Sequence, residues 1–259
     1  MRLTVYNVGH GACVSFIHKN GNVMLWDCGH QEEYRPSSFL PARGIHEVAY
    51  FFVSNYDEDH ISDLPDLRTN VRLRSMYRNK SISADDLRAI KLQGGPISPA
   101  MESMLDMIRT YTGGPLSPPP DFTGARFITF HNNYGPEFED TNNISLVTFF
   151  ECGGTKFIIP GDVENAGWLG LLRNQNFIKE LFGVNVFIAS HHGRENGYCE
   201  DVFRYCKPDV FVFSDSKVKH ATQEVTQLYS QHAKGISFNG ETRYVLTTRN
   251  DGSLTWTLG

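Results

Sequence analysis

The chain has 259 residues, 40% of them apolar and 20% charged, enough for one large domain or for a core domain carrying an insertion. A formal charge of −5 excludes a globally basic nucleic-acid coat but leaves room for a local basic groove. Five scattered cysteines (Cys13, Cys28, Cys152, Cys199, Cys206) without a Cys-x-x-Cys pair, no charged-then-apolar leader and no apolar run of ~20 residues point to a cytoplasmic protein with reduced thiols and no membrane partner. In chain order, RLTVYNV, ACVSFIH and VMLWDCG alternate as three strands punctuated by GHG and NGN turns. A short helical piece, FLPARGI, then leads into the strand EVAYFFVSN. Residues 62–135 read as an insertion or lid, with helices over SADDLRAIKLQ, capped by Ser83, and over SPAMESMLDMIRTYTG, capped by Ser98 and stopped at Gly113. Strands return in ARFITFHNN and in NISLVTFFECGG with TKFIIPGD, which form a hairpin over the CGG turn. WLGLLRNQNFIKELFG predicts one amphipathic helix, VNVFIAS a buried strand, CEDVFRYCK a helix, PDVFVFSDS a strand and TQEVTQLYSQHAK a helix. The end, from ISFNGETRYVLTTRNDGSLTWTLG, reads as a strand, an NDG hairpin turn and a last strand.

Four polar clusters share one address, the exit of a strand: NYDEDH, PGDVE, SHHG and SDSKVKH. Rigid strands carrying short loops are how α/β folds place ligands. Asn55, Asp57 and Asp59 alternate, so an extended turn turns them to one side, with His60 at its end; carboxylate oxygen beside imidazole nitrogen suits zinc, manganese or iron. Asp162 follows a glycine that allows close approach to a ligand, and the pair His191 and His192 ends an apolar strand. Each cluster also has a plain reading: Asp57 as a helix cap, GD as a β-turn, HH as a capped turn. Taken singly the plain readings win; four metal-competent strand exits in one chain tip the balance the other way.

In order and spacing these motifs resemble the metallo-β-lactamase fold, and within it the hydrolase domain of ComEC-like competence DNA-uptake channels. YNVGHGACVSFI with VMLWDCG, NYDEDH, the IPGDVE hairpin, IASHHGRENG and KPDVFVFSDSKVKHATQEV carry the resemblance, which spans the chain apart from residues 62–135. It implies a four-layer αβ/βα sandwich with a partly helical insertion and up to two divalent ions, zinc or manganese with magnesium as a further option, in a cleft at its edge. Carried over, Asn55 and Asp57 fall on the first two positions of the leading motif. Asp59 and His60 bind a metal, Asp162 bridges, and His191 and His192 supply a further ligand. Asp59 is the catalytic candidate together with His220, and His220, Lys217 and Lys219 would meet substrate. The implied activity is metal-dependent hydrolysis of a phosphodiester, with nucleic acid or a nucleotide as partner and Arg68, Arg72, Arg74, Arg78 and Lys80 as candidates for tracking its backbone.

Two departures matter. Asn55 stands where the superfamily has histidine, and no glycine-histidine-threonine motif precedes SLVTFF; an oxygen-only first site favours a harder cation or stays weak. A small-molecule ester or lactone hydrolase, a degenerate scaffold and a subunit of a larger assembly are therefore the alternatives.

Overall fold

The structure is a computed structural model that describes residues 1–32, 34–114, 116–216 and 225–259. Its strands, in chain order, are β1 (Arg2–Val5), β2 (Val14–Ile17), β3 (Val23–Trp26), β4 (Glu47–Val48), β5 (Tyr50–Phe52), β6 (Arg72–Leu73), β7 (Met76–Tyr77), β8 (Ala125–Phe130), β9 (Val147–Cys152), β10 (Thr155–Ile159), β11 (Val186–Ile188), β12 (Val210–Phe213), β13 (Ile236–Phe238), β14 (Glu241–Arg243), β15 (Val245–Thr247) and β16 (Leu254–Thr257). They build two six-stranded sheets, ordered β16-β1-β2-β3-β5-β7 and β15-β12-β11-β10-β9-β8.

Period-two alternation explains the layering. In β3, Met24 and Trp26 face the second sheet while Val23 and Leu25 face the opposite way; in β12, Val210 and Val212 face the first sheet while Phe211 and Phe213 face outward. Because both faces of each sheet are apolar, each needs a second cover. The outer face of the first sheet packs on α1 (Pro36–Ala42), α3 (Leu64–Asn70), α4 (Ala84–Gln93) and α5 (Pro99–Thr110) through Leu40, Leu67, Leu87 and Met104. α2 (Glu58–Ile61) lies between β5 and α3 and adds Ile61 to the same core. The second sheet's outer face is covered by α6 (Asn165–Leu171), α7 (Gln175–Leu181) and α8 (Thr226–Ser230), through Trp168, Phe177 and Tyr229. Helices, sheet, sheet, helices: four layers result. No helix among the described residues is long and apolar enough to cross a membrane.

The Ser83 and Ser98 hydroxyls cap α4 and α5, accepting from the backbone N–H of Asp86 and Met101. Gly153 and Gly154, at φ +57° and +75°, make the two-residue turn that joins β9 to β10. Elsewhere the structure departs from the sequence expectations. WLGLLRNQNFIKELFG is two helices, because the Asn174 side chain caps a new one by accepting from the N–H of Asn176. The helix expected over CEDVFRYCK is a 3-10 turn, Glu200–Arg204. The NDG segment is not a hairpin: β15 pairs with β12 and β16 with β1, so α9 (Thr248–Asp251) carries the chain from one sheet to the other. Residues 62–135 are also less detached than a lid: β7 pairs with β5, β8 pairs with β9, and α5 is part of the core. The connection between α4 and α5 faces the cleft described next.

Candidate metal centre

At one edge of the two-sheet sandwich, where β3, β5, β10 and β11 finish, the loops leaving them converge. Asp59 and His60 come from α2, after β5; Asp162 follows β10; His192 follows β11. One ligand atom from each of these four lies within 4.8 Å of the others. Ligands held at ~2.1 Å from one ion are at most ~4.2 Å apart, so a small contraction would close the set around a single cation.

Backbone contacts fix α2. The Asp59 carbonyl accepts from Ala12 N (3.2 Å) and the His60 carbonyl from Cys28 N (2.8 Å). A Cβ on Gly29 would sit 2.0 Å from the Asp59 carbonyl oxygen, so glycine is required there by close approach. The SHHG loop turns on successive left-handed residues, His191 (φ +49°), His192 (+55°) and Gly193 (+77°). Ser190 Oγ donates to the Val163 carbonyl (2.6 Å) and His191 N to the Gly161 carbonyl (3.2 Å), tying this loop to that of Asp162. Two strained histidines in succession persist because these contacts over-determine them.

Each histidine of the group has its outer nitrogen occupied. His60 Nδ1 lies 2.9 Å from buried Asp27 Oδ2, leaving Nε2 directed at Asp162 Oδ1, also 2.9 Å away. Asp27 is held in turn by the Ser54 backbone N–H (2.8 Å) and by the Ser54 hydroxyl. His192 Nδ1 donates to the Ser214 carbonyl (2.9 Å), which directs Nε2 inward. That Nε2 is buried and faces Asp59 Oδ2 and Asp162 Oδ2 at 3.1 and 3.6 Å. A buried imidazole nitrogen that faces two carboxylates, in ion-pair range of both, marks a point where a cation would find three ligand atoms together. Burial pushes the two rings down in pKa, but the carboxylates override it: His60, between Asp162 and Asp27, is raised well above the usual range, and His192, beside Asp162 and Asp59, to about 10. Burial alone would raise Asp162, yet the His60 and His192 charges hold it well below the carboxylate range; Asp59 is likewise held low by its contacts with His192 and His60. Two carboxylates thus gather positive charge around one point.

A cleft of about 480 Å³ opens over the group, lined among others by Tyr56, Ile97, Met101, Lys91 and Arg194. His10, from the loop between β1 and β2, stacks obliquely on His192 (4.6 Å between centroids) and is pushed down to about 4, first by burial and then by the His192 charge.

No family model matches the chain. ComE operon protein 3 of Bacillus subtilis is 24% identical over 203 residues, covering 75% of this chain and 24% of that protein; the chain spans about a quarter of the length of this relative. Among solved structures, the metallo-β-lactamase fold protein YhfI of Bacillus subtilis superposes with a TM-score of 0.53 at 11% identity, over 99% of this chain and 100% of its own. The fold is the metallo-β-lactamase fold. A metallo-hydrolase from the archaeon Ignicoccus hospitalis agrees with it at a TM-score of 0.52 and 14% identity over both whole chains. A diiron β-hydroxylase from Streptomyces venezuelae does so at 0.56 and 13%, over 99% of this chain and 54% of its own, so this one fold carries more than one chemistry.

Within this metallo-β-lactamase fold the residues expected from the sequence fall into two groups. Asp59, His60, Asp162 and His192 come together. His191 stands beside this group: its Nε2 lies 3.9 Å from Asp162 Oδ2 and accepts from Arg194 (3.2 Å), and its Nδ1 faces Glu164 at 3.4 Å. Asn55 and Asp57 also stay outside. Asn55 is fully buried, its Nδ2 within hydrogen-bond distance of the Thr141 carbonyl, Asn142 Oδ1 and Ser145 Oγ, while its Oδ1 accepts from Asp57 N (2.7 Å). The Asp57 carboxylate pairs with Lys91 and accepts from Thr141 Oγ1. Lys217, Lys219 and His220 lie outside the described residues. The arginines expected to track a backbone are engaged away from the cleft: Arg68 with Asp106, Arg72 and Arg74 with Glu47, and Arg78 with the Asn79 and Ile82 carbonyls. Sequence reasoning missed His10, Asp27, Ser54, Lys91 and Arg194. Asp27 ends a strand just as Asp162 does and was open to the same argument; Lys91, in the last turn of a helix, carries no local signal.

Proposed function

We propose that the protein is a metal-dependent hydrolase whose substrate is a phosphodiester. The observation that carries this reading is the converging group Asp59, His60, Asp162 and His192, with the His192 Nε2 facing both carboxylates. A divalent ion held there supplies a Lewis acid for a phosphoryl oxygen and lowers the pKa of a water. The chain's own residues do the rest. Asp27 and the Ser214 carbonyl keep both histidine rings turned inward, and the Asp59 carboxylate, at the cleft floor, is the group placed to take a proton from an attacking water. Lys91 and Arg194 on the cleft walls offer cationic donors to the phosphate oxygens. The similarity to ComE operon protein 3 and to the Ignicoccus metallo-hydrolase supports the metal-dependent part.

The cleft's size favours a nucleotide or a single-stranded end over a duplex, since its volume is that of a small-ligand pocket and the arginines of residues 68–78 are paired elsewhere. The test uses purified protein with bis(p-nitrophenyl) phosphate, cyclic dinucleotides, single- and double-stranded DNA, and RNA, each with manganese, magnesium or zinc. Activity is expected in at least one metal, lost by about a hundredfold or more in Asp162→Ala and in His192→Ala. Metal-dependent cleavage surviving in a folded Asp162→Ala protein would overturn the assignment. Cleavage of carboxylic esters alone would favour the small-molecule reading, for which the apolar wall formed by Ile97 and Met101 speaks.

A further inference from the structure

We propose that the centre takes a single divalent ion and that the Lys91 ammonium, held on Asp57 where a second ion would otherwise sit, binds an anionic oxygen of the substrate. This rests on the metal-dependent reading above and adds the number of ions and the residue that stands in for another. Two observations lead to it. First, the residues on the opening half of the NYDEDH motif are already committed. Every polar atom of the Asn55 amide has a protein partner, in a side chain with no exposed surface. Reorienting that amide toward an ion would strip Ser145, whose hydroxyl also receives the N–H of Asp162 (3.2 Å). Second, Asp57 Oδ1 is held by Lys91 Nζ and by Thr141 Oγ1 (2.8 Å), and Lys91 Nζ donates to Thr141 Oγ1 as well (3.1 Å). A divalent ion on Asp57 would have to displace this ammonium or sit against it, like charge against like.

Lys91 is not an incidental surface charge. α4 is fixed at its start by the Ser83 cap and joined to α5 by the ion pair between Arg88 and Glu102, while Ser98 Oγ at the head of α5 donates to Glu58 on α2 (2.6 Å). These ties place the last turn of α4, and Lys91 with it, on the cleft wall. Of its three N–H donors, two are engaged by Asp57 and Thr141 among the described residues. The third remains for an incoming oxygen anion.

The experiment measures ions and anions, not turnover. Metal-free protein is dialysed against manganese or zinc and the bound ion counted by mass spectrometry; inorganic phosphate is then titrated into the loaded protein by calorimetry. The wild type is expected to bind one ion per chain. Lys91→Gln should still bind one, but with phosphate weakened by about tenfold to a hundredfold, and Lys91→Arg should recover most of that loss. Two ions of similar affinity in the wild type would overturn the proposal while leaving the metal-dependent reading intact. Unchanged phosphate affinity in a folded Lys91→Gln protein would overturn the role of the lysine. A wild type that binds no ion would sink the metal-dependent reading itself, and the one-ion proposal with it.

Discussion

Asn55 makes a loop rigid. Its amide joins the end of β5 to the Thr141, Asn142 and Ser145 segment, and Ser145 in turn holds the backbone of Asp162. Histidine cannot offer two donors on one nitrogen together with an acceptor at the amide oxygen's position. Asn55→His is therefore expected to lower unfolding free energy by about 1–3 kcal/mol in urea titrations, without raising the number of bound ions. A variant as stable as the wild type that binds one ion more would show that histidine can complete a second site. A metal-ligand amide and a structural amide are the same letter in a sequence; what separates them is the neighbourhood, here a segment roughly ninety residues away. The same holds for the histidine pair. SHHG offers two candidates of equal standing, and His192 lies within the four-residue group because the Ser214 carbonyl, on a different strand exit, orients its ring.

At the scale of elements, α2 is the part of the site with least support of its own. It is four residues long with no side-chain cap, and its position depends on the loops that contain Ala12, Cys28 and Gly29. Gly29→Ala forces a Cβ against the Asp59 carbonyl, and the helix that carries two of the four candidate ligands must shift. We expect manganese affinity to fall by about tenfold to a hundredfold in calorimetric titrations, a loss of the size that follows when groups orienting ligands are disturbed. Unchanged affinity would show that α2 tolerates the displacement. Strands were the legible elements, since β3, β9, β10 and β12 write their burial as alternation or as continuous apolar runs. The NDG segment misled because a hairpin turn and a short helical turn use the same residues. What decided it was pairing at long range, β15 with β12 and β16 with β1, which a local pattern does not encode.

On the scale of the whole molecule, four polar strand exits pointed to one edge of a two-sheet sandwich, and that is where the structure puts those it describes. The sequence could not indicate that Lys91 would arrive there from α4, because only the packing of α4 and α5 against the first sheet brings it in. A bound ion should also stabilise the fold by mass action. At free ion a hundred times the dissociation constant the gain is about 2.7 kcal/mol, which for a domain of this size is a rise of roughly 5–10 °C in melting temperature, reversed by chelation. A melting curve indifferent to chelator would place the ligand group outside any ion's reach. The candidate ligands are also divided between the layers: the first sheet delivers Asp59 and His60, and the second delivers Asp162 and His192. Neither half owns a complete coordination set, so a coloured ion such as cobalt, taking up all four ligands, would serve as a gauge of folding: its spectrum reports the moment the two halves dock, independently of when each sheet forms.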